Sequence, residues 1–183
     1  MLWKMQLPRS QPPNGDHGTM GAQQLRGVIM ELPDLLPDIQ FCLLPKTDDA
    51  LRFSFEVKRA AMGPHIIARW GWNEDYQWQT HRIHFREKPF LQIIRSEQSI
   101  GTVSVVRHDD HIRFGEFYLF PEHQGKGLGT RVLQHCLIFA DAEELPVRLE
   151  YLKWNPVGPL YRRHGFVTIG ENEIHWFLER PVR

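Results

Sequence analysis

The chain has 183 residues, and its 22 lysines and arginines balance 22 aspartates and glutamates. This length fits one domain with its own core, and a net charge of zero gives no indication of a nucleic-acid or acidic-membrane partner. Two cysteines, Cys42 and Cys136, are too few for a disulfide framework or a zinc site, which fits a reducing cytosol. No apolar run reaches the ~20 residues that span a bilayer, and no signal-peptide pattern follows Lys4. We therefore expect a cytoplasmic protein.

Residues 1–36 differ in composition from the rest of the chain. They contain four glycines and few periodic apolar positions, together with Pro8, Pro12, Pro13 and Pro33. This composition predicts a flexible or loosely docked N-terminal extension, with a short ordered piece near residues 25–32. The domain proper is expected to cover residues 37–183.

From Ile39 onward, the apolar pattern predicts alternating strands and helices. The first helix is expected to be capped by Asp48 or Asp49 and to end at Gly63-Pro64, near residue 62. The other predicted helices are 76–85, 128–143 and a short one after Asn155. The predicted strands are 39–44, 90–95, 100–107, 112–119, 147–154, 166–169 and 174–179. A hairpin before the strand at 112–119 argues against a doubly wound parallel sheet, so the class is mixed α/β.

A glycine-rich loop follows the strand at 112–119. Gly125, Gly127 and Gly129 alternate around Lys126 and precede the long apolar helix. Glycines let a backbone approach a phosphate closely, and the first turn of a helix offers unpaired N–H groups and a favourable dipole. This arrangement predicts a site for a phosphorylated cofactor.

The spacing of this loop narrows the choice of cofactor. The Walker pattern needs a glycine at position 120 and Ser or Thr at 127, where the chain has Phe120 and Gly127. The dinucleotide pattern needs a third glycine at 130, where Thr130 stands, although Glu150 lies near the expected downstream distance. A nicotinamide cofactor therefore remains an alternative.

Two segments resemble signatures of the GNAT superfamily of N-acyltransferases. Gln124 to Gly129 follow the Q/R-x-x-G-x-G/A pattern of the acyl-CoA pyrophosphate loop. In residues 147–166, a strand ends at Asn155-Pro156, a short helix carries Leu160-Tyr161, and Gly165-Phe166 begins the next strand. The resemblance extends over roughly residues 39–180 and is sharp in these two stretches only.

The resemblance implies a fold and an activity. The fold would be a single GNAT-like domain with a mixed, mostly antiparallel sheet of about seven strands and about four helices, splayed between the two central motif strands. The activity would be transfer of an acetyl group from acetyl-CoA to a primary amine of a small molecule or protein, by direct attack in a ternary complex. The alternatives are a non-catalytic acyl-CoA-binding regulatory module and an NAD-dependent oxidoreductase.

The resemblance also implies roles for individual residues. Tyr161 would protonate the departing thiolate. Glu116, with a raised pKa, would accept the proton of the amine. Alternatively, Glu116 is a surface carboxylate that only binds the charge of the substrate, or the reaction uses no base at all. A bulge or splay would free a backbone N–H near Leu119 or Phe120 for the carbonyl oxyanion. The expected cofactor-binding residues are Leu119, Phe120, Gln124, Gly125, Lys126, Gly127, Leu128, Gly129, Thr130 and Asn155.

The segment WGWNEDYQW at residues 70–78 lies where this superfamily forms its acceptor side. Trp72, Glu74 and Asp75 are the expected substrate-binding residues, because aromatic rings and carboxylates suit a cationic amine; core packing is the alternative for the tryptophans. His81 and His84 stand at helical spacing without a Glu-x-x-His pattern, so no metal site is expected. The identity of the amine, the acyl chain length and the oligomeric state, including a homodimer, stay open.

Overall fold

The structure is a computed structural model that describes residues 27–35 and 37–182. The strands are β1 Val28–Ile29, β2 Ile39–Leu43, β3 Leu91–Arg95, β4 Gln98–Arg107, β5 Ile112–Leu119, β6 Val147–Leu152, β7 Val167–Glu171 and β8 His175–Arg180. The helices are α1 Asp48–Trp70, α2 Glu74–Glu87, α3 Leu128–Ala142 and α4 Gly158–Arg163. A short 3₁₀ turn, Pro121–His123, lies between β5 and the glycine loop.

The strands form a mixed sheet with the order β2-β3-β4-β5-β6-β8-β7, and β1 pairs with β4 beside this path. The neighbours β5 and β6 are parallel, and the other pairs are antiparallel. The register of β5 and β6 holds only at Ile112↔Val147 and Arg113↔Arg148, after which the two strands diverge. The predicted mixed α/β class and the splay between the two motif strands are therefore confirmed.

Part of the predicted N-terminal extension packs on the sheet and supplies the strand beyond the expected seven. Val28 pairs with Arg107, and the Met30 N–H donates to the Val105 carbonyl at 3.1 Å. The side chains of Met30 and Leu32 are buried in the core. This burial removes apolar surface from water and so stabilises the segment on the sheet. Residues 1–26, for which a flexible extension was predicted, lie outside the described residues.

The predicted end of the first helix is wrong. Helix α1 continues through Pro64 to Trp70 and is capped at its start by Thr47, whose hydroxyl accepts from the Ala50 N–H at 3.4 Å. A proline strains the residue before it through that residue's Cβ, but here that residue is Gly63. The ring of Pro64 also lies on the exposed face, and Ile66 beyond it is buried, so packing holds the helix together.

Helix α3 forms the main core with the sheet. Its apolar positions, predicted as one stripe, are buried: Leu128, Val132, Leu133, Cys136, Leu137 and Ala140. A smaller cluster joins α1 and α2 to the start of β3 through Leu51, Phe85 and Phe90. The two clusters fix α3 and the α1–α2 pair around the central strand β5, where the site forms.

Candidate active site

The central strand β5 is irregular at its middle. Thr102 of β4 pairs with Tyr118 and Ser104 pairs with Gly115, so Glu116 and Phe117 lie together opposite one residue in a β-bulge. Glu116 has a φ of +47°, and the Thr102 hydroxyl donates to its carbonyl at 2.9 Å. Positive φ is costly for a residue with a Cβ and persists where the surrounding structure enforces it, often at functional sites.

A cavity of about 1190 Å³ opens where β5 and β6 diverge. It extends from the glycine loop, past Glu116 and Tyr118 of β5, to the inner faces of α1 and α2. Tyr151 of β6 and Tyr161 of α4 also line it. The cavity therefore joins an anion-binding loop at one end to a polar pocket at the other.

The glycine loop adopts the left-handed conformation at two of its three glycines. Gly125 and Gly127 have φ values of +71° and +77°, and a Cβ added at either position would meet no protein atom within 4 Å. Helix α3 begins after Gly127 without a side-chain cap. Its first N–H groups thus remain available to an external acceptor, as a phosphate site requires.

Several predicted cofactor-binding residues line the cavity, and others do not. Those that line it are Leu119, Gln124, Gly125, Gly127, Gly129, Thr130 and Asn155. Lys126 is exposed beside the loop, the Leu128 side chain is buried in the core, and Phe120 packs against Phe53 with ring centroids 6.3 Å apart. The Gln124 side-chain amide donates to the Leu119 carbonyl at 2.7 Å, which ties the loop to the end of β5.

The two candidate oxyanion donors differ. The Phe120 N–H donates to the Ile100 carbonyl at 3.0 Å, so the prediction of a free amide at Phe120 is wrong. Leu119 directly precedes Phe120 and pairs with Gly101 of β4. Successive residues of an antiparallel strand point their amides to opposite sides, so the Leu119 N–H points away from β4. The Leu119 N–H therefore faces β6, where the two strands have separated.

Glu116 is held by basic side chains. Lys88 Nζ lies 3.0 Å and His84 Nδ1 3.6 Å from Glu116 Oε1, and the Glu116 side chain is 8% exposed. Burial alone would raise the pKa of Glu116, but the charges of Lys88, His84 and Lys58 and the hydrogen bond from Lys88 outweigh it and lower the pKa to about 2. The expected raised pKa is wrong because the positive neighbours come from α1, α2 and the residue after α2, which the sequence does not place there.

His84 is a candidate that the sequence reasoning weighed only as a metal ligand. It lines the cavity beside Glu116, and burial, followed by the charge of Lys88, lowers the pKa of its imidazole. A neutral imidazole can accept a proton. The available signal was helical spacing, since Asn73, Gln77, Thr80 and His84 recur every three or four residues and all line the cavity.

Tyr161 lies buried on α4 and reaches the cavity. Its ring packs against Tyr151 and Phe166, with centroids 5.7 Å away in each case. Burial, and then the neighbouring Tyr151, raise the pKa of Tyr161, so its hydroxyl stays protonated. Across the cavity, the Tyr118 hydroxyl donates to Glu116 Oε2 at 3.3 Å, and burial raises the pKa of Tyr118 as well.

Asn155 caps a turn rather than the helix itself. Its side-chain oxygen accepts from the Val157 N–H at 3.0 Å, and α4 begins only at Gly158. The short helix predicted directly after Asn155 therefore starts two residues later than expected. Asn155 still lines the cavity, in the position expected for a residue near the cofactor.

The predicted substrate-binding residues lie elsewhere. Trp72 packs against Phe55 with the two rings tilted by 48°, and its indole N–H donates to Glu74, which also pairs with Arg59 on the surface. Within residues 27–35 and 37–182, neither Trp72, Glu74 nor Asp75 lines the cavity. The direction in which each side chain leaves α2 decides this, so that Asn73, Tyr76 and Gln77 line the cavity instead.

Two kinds of feature are absent from the described part of the chain. No group of three or more His, Cys, Asp or Glu side chains there is arranged to hold a metal ion. Nor does any helix of that part combine the length and apolar character needed to cross a bilayer.

Known proteins share this fold and this region of sequence. Residues 87–168 match the family model described as "Acetyltransferase (GNAT) domain". The PaiA N-acetyltransferase from Thermoplasma acidophilum, solved in complex with coenzyme A, is 18% identical, with a TM-score of 0.63 over 78% of this chain and 98% of that chain. N-acetyltransferase PseH from Campylobacter jejuni is 16% identical, with a TM-score of 0.53 over 78% of this chain and 97% of that chain.

At these identities the solved structures establish the fold, while the family model covers the segment from the end of α2 to the start of β7. That segment contains the bulged strand, the glycine loop and the tyrosine of α4, the same features that line the cavity. Residues 87–168 thus match an acetyltransferase (GNAT) domain over less than half of the chain, and the fold around them is that of the solved acetyltransferases.

Proposed function

We propose that this enzyme transfers an acetyl group from acetyl-CoA to a primary amine by direct attack in a ternary complex. The observation that carries the proposal is the single cavity that joins the glycine loop, through the gap between β5 and β6, to the polar pocket under α1 and α2. Both substrates can occupy one such cavity together, which direct transfer requires.

The residues of the loop fit the diphosphate of coenzyme A. The backbone N–H groups of residues 125–130 would hold it, because two glycines in the left-handed conformation leave room and α3 starts uncapped. Acetyl-CoA supplies the reactive thioester. The Leu119 N–H would donate to the carbonyl oxygen, since it faces the gap beside the cavity. The solved complex of the PaiA N-acetyltransferase with coenzyme A supports the choice of this co-substrate.

Two proton transfers accompany the reaction. The amine must lose a proton, and we assign this to the neutral imidazole of His84, with the ionised Glu116 carboxylate holding the imidazole or a water in place. The departing thiolate must gain a proton, and we assign this to the Tyr161 hydroxyl, which burial keeps protonated. Each assignment follows from a side chain that lines the cavity.

Isothermal titration with acetyl-CoA, followed by a thiol-release assay with a panel of amines, tests the proposal. We expect binding in the micromolar range typical of enzyme substrates and release of free thiol that depends on the amine. Absence of binding at millimolar acetyl-CoA would remove the proposal. Binding without amine-dependent thiol release would favour a non-catalytic acyl-CoA-binding module.

A further inference from the structure

The pocket under α1 and α2 contains a buried cation that the proposed chemistry does not use. Lys58, on the inner face of α1, is 9% exposed and lines the cavity. No side chain or carbonyl of the described residues forms a hydrogen bond or ion pair with its ammonium group. Among the described residues, the fully buried side-chain nitrogen atoms without a partner are His81 Nδ1 and Arg82 Nε, so the Lys58 ammonium group opens onto the cavity. An ammonium group on the wall of a largely buried pocket favours a counter-ion or a charged ligand there.

The carboxylates near Lys58 do not fill this role. Glu116 is already engaged by Lys88 at 3.0 Å and by His84 at 3.6 Å, and Glu87 lines the cavity only from an exposed position. Burial lowers the pKa of Lys58; the negative charge of Glu116 raises this pKa, and the positive charge of Lys88 lowers it further. A negatively charged group of a ligand would stabilise the charged form of Lys58 and complete its hydrogen bonds.

A cationic acceptor fits this pocket poorly. A polyamine would need a carboxylate to pair with its second ammonium group. The buried Glu116 is neutralised by the chain's own basic residues, so the other carboxylates that line the cavity among the described residues are the exposed Glu87 and Glu150, and Glu150 already pairs with Arg113. Around the Glu116 carboxylate stand Lys58 and Lys88, so the inner pocket offers positive charge to whatever enters beside the reacting amine.

We propose that the acceptor is a small amine that also carries an anionic group, a carboxylate or a phosphate, and that Lys58 binds this group. The inference rests on the proposed acetyl transfer and specifies its substrate class. Lys58 acts on affinity and selectivity and takes no part in either proton transfer. Its position near Glu116 also permits a purely structural role, which the test must separate.

The first measurement compares four amines of similar length: β-alanine, O-phosphoethanolamine, propylamine and 1,3-diaminopropane. We expect kcat/KM for one of the two anionic amines to exceed that for propylamine by at least tenfold, since one hydrogen bond to a charged group is worth roughly that factor or more. The stronger of the two distinguishes a carboxylate from a phosphate. Equal rates for all four, or a preference for the diamine, would overturn the proposal.

The second measurement uses variants of α1. Lys58→Met keeps the length of the side chain and removes the charge, Lys58→Arg keeps the charge, and Arg52→Met removes a charge from the exposed face of the same helix as the control. We expect Lys58→Met to raise KM for the anionic amine about tenfold with KM for propylamine changed less than about twofold. Lys58→Arg should restore most of the loss. An equal effect on both amines would assign Lys58 a structural role and refute the proposal.

A third measurement keeps this inference separate from the proposed activity. Thermal unfolding of the protein saturated with coenzyme A is followed with β-alanine, O-phosphoethanolamine or propylamine, so no turnover is needed. We expect an anionic amine to raise Tm in the parent but not in Lys58→Met. Failure to bind coenzyme A would count against the activity, whereas equal Tm shifts in the parent and Lys58→Met would count against the anion site alone.

Discussion

The replacement Gly127→Ala tests the glycine loop, and Gly71→Ala serves as its control. Gly127 and Gly71 have φ values of +77° and +76°, and a Cβ added at either position would meet no protein atom within 4 Å. Their ψ values differ: ψ is −7° at Gly127, in the left-handed region, and 178° at Gly71, in a region that almost only glycine adopts. Alanine in the left-handed region costs about 1–2 kcal/mol, which lowers Tm by a few degrees in a protein of this size, about 2–4 °C per kcal/mol. Gly71→Ala should therefore lose at least as much stability as Gly127→Ala.

The two variants should differ in their affinity for coenzyme A. Gly127 begins α3 beside the proposed diphosphate site, whereas Gly71 ends α1. A methyl group at residue 127 would enter the space that the diphosphate needs and displace a hydrogen bond to a charged acceptor, so Kd should rise about tenfold or more. Gly71→Ala should leave Kd within about twofold. Isothermal titration and thermal unfolding on the same samples measure both quantities.

An equal Kd for coenzyme A in the parent and in Gly127→Ala, with the expected loss of Tm, would refute the reasoning. The strain would then be present, but the amides after Gln124 would not be the groups that hold the diphosphate. A similar rise of Kd in Gly71→Ala would show instead that affinity follows general stability.

Three further predictions concern buried groups of the site and core. Tyr161→Phe should lower kcat by about 100-fold, the usual contribution of a general acid, with Kd for coenzyme A unchanged; an unaltered kcat would remove Tyr161 from the chemistry. Glu116→Gln should destabilise the fold near neutral pH by about 3 kcal/mol, because folding lowers the pKa of Glu116 from 4.5 to about 2. This stabilisation of the folded state is complete above pH 4.5 and is lost as the pH falls toward 2. Chemical denaturation should accordingly show a shallower acid dependence in the variant than in the parent, and identical slopes would contradict the ion pair with Lys88. Burial raises the pKa of Cys136 to about 12, so iodoacetamide should label the native protein at the exposed Cys42 alone, and mass spectrometry showing an adduct on Cys136 would indicate an open core.

Local patterns predicted those parts of the fold whose causes are local. The strand β5, the apolar stripe of α3 and the glycine loop between them depend on residues close in sequence, and each is present, although the bulge at Glu116 and Phe117 breaks the alternation of β5. Local patterns failed where packing outweighs propensity. Pro64 did not end α1, since Gly63 relieves the strain and Ile66 is buried beyond it.

The same distinction between local causes and packing applies to the candidate active site. The order and spacing of Gln124 to Gly129 determined that an anion-binding loop would precede α3, because backbone amides and glycine conformations suffice to make one. Which side chains of α1 and α2 share the cavity with β5 could not be deduced, because these three elements meet only in the folded chain. Because these elements pack together, the pKa of Glu116 is lowered and His84 lies beside it. Trp72 lies outside the lining of the cavity, and Lys58 is buried without a hydrogen bond or an ion pair. Charge interactions act over a few ångströms through space, so tertiary structure alone decides which ionisable groups control one another.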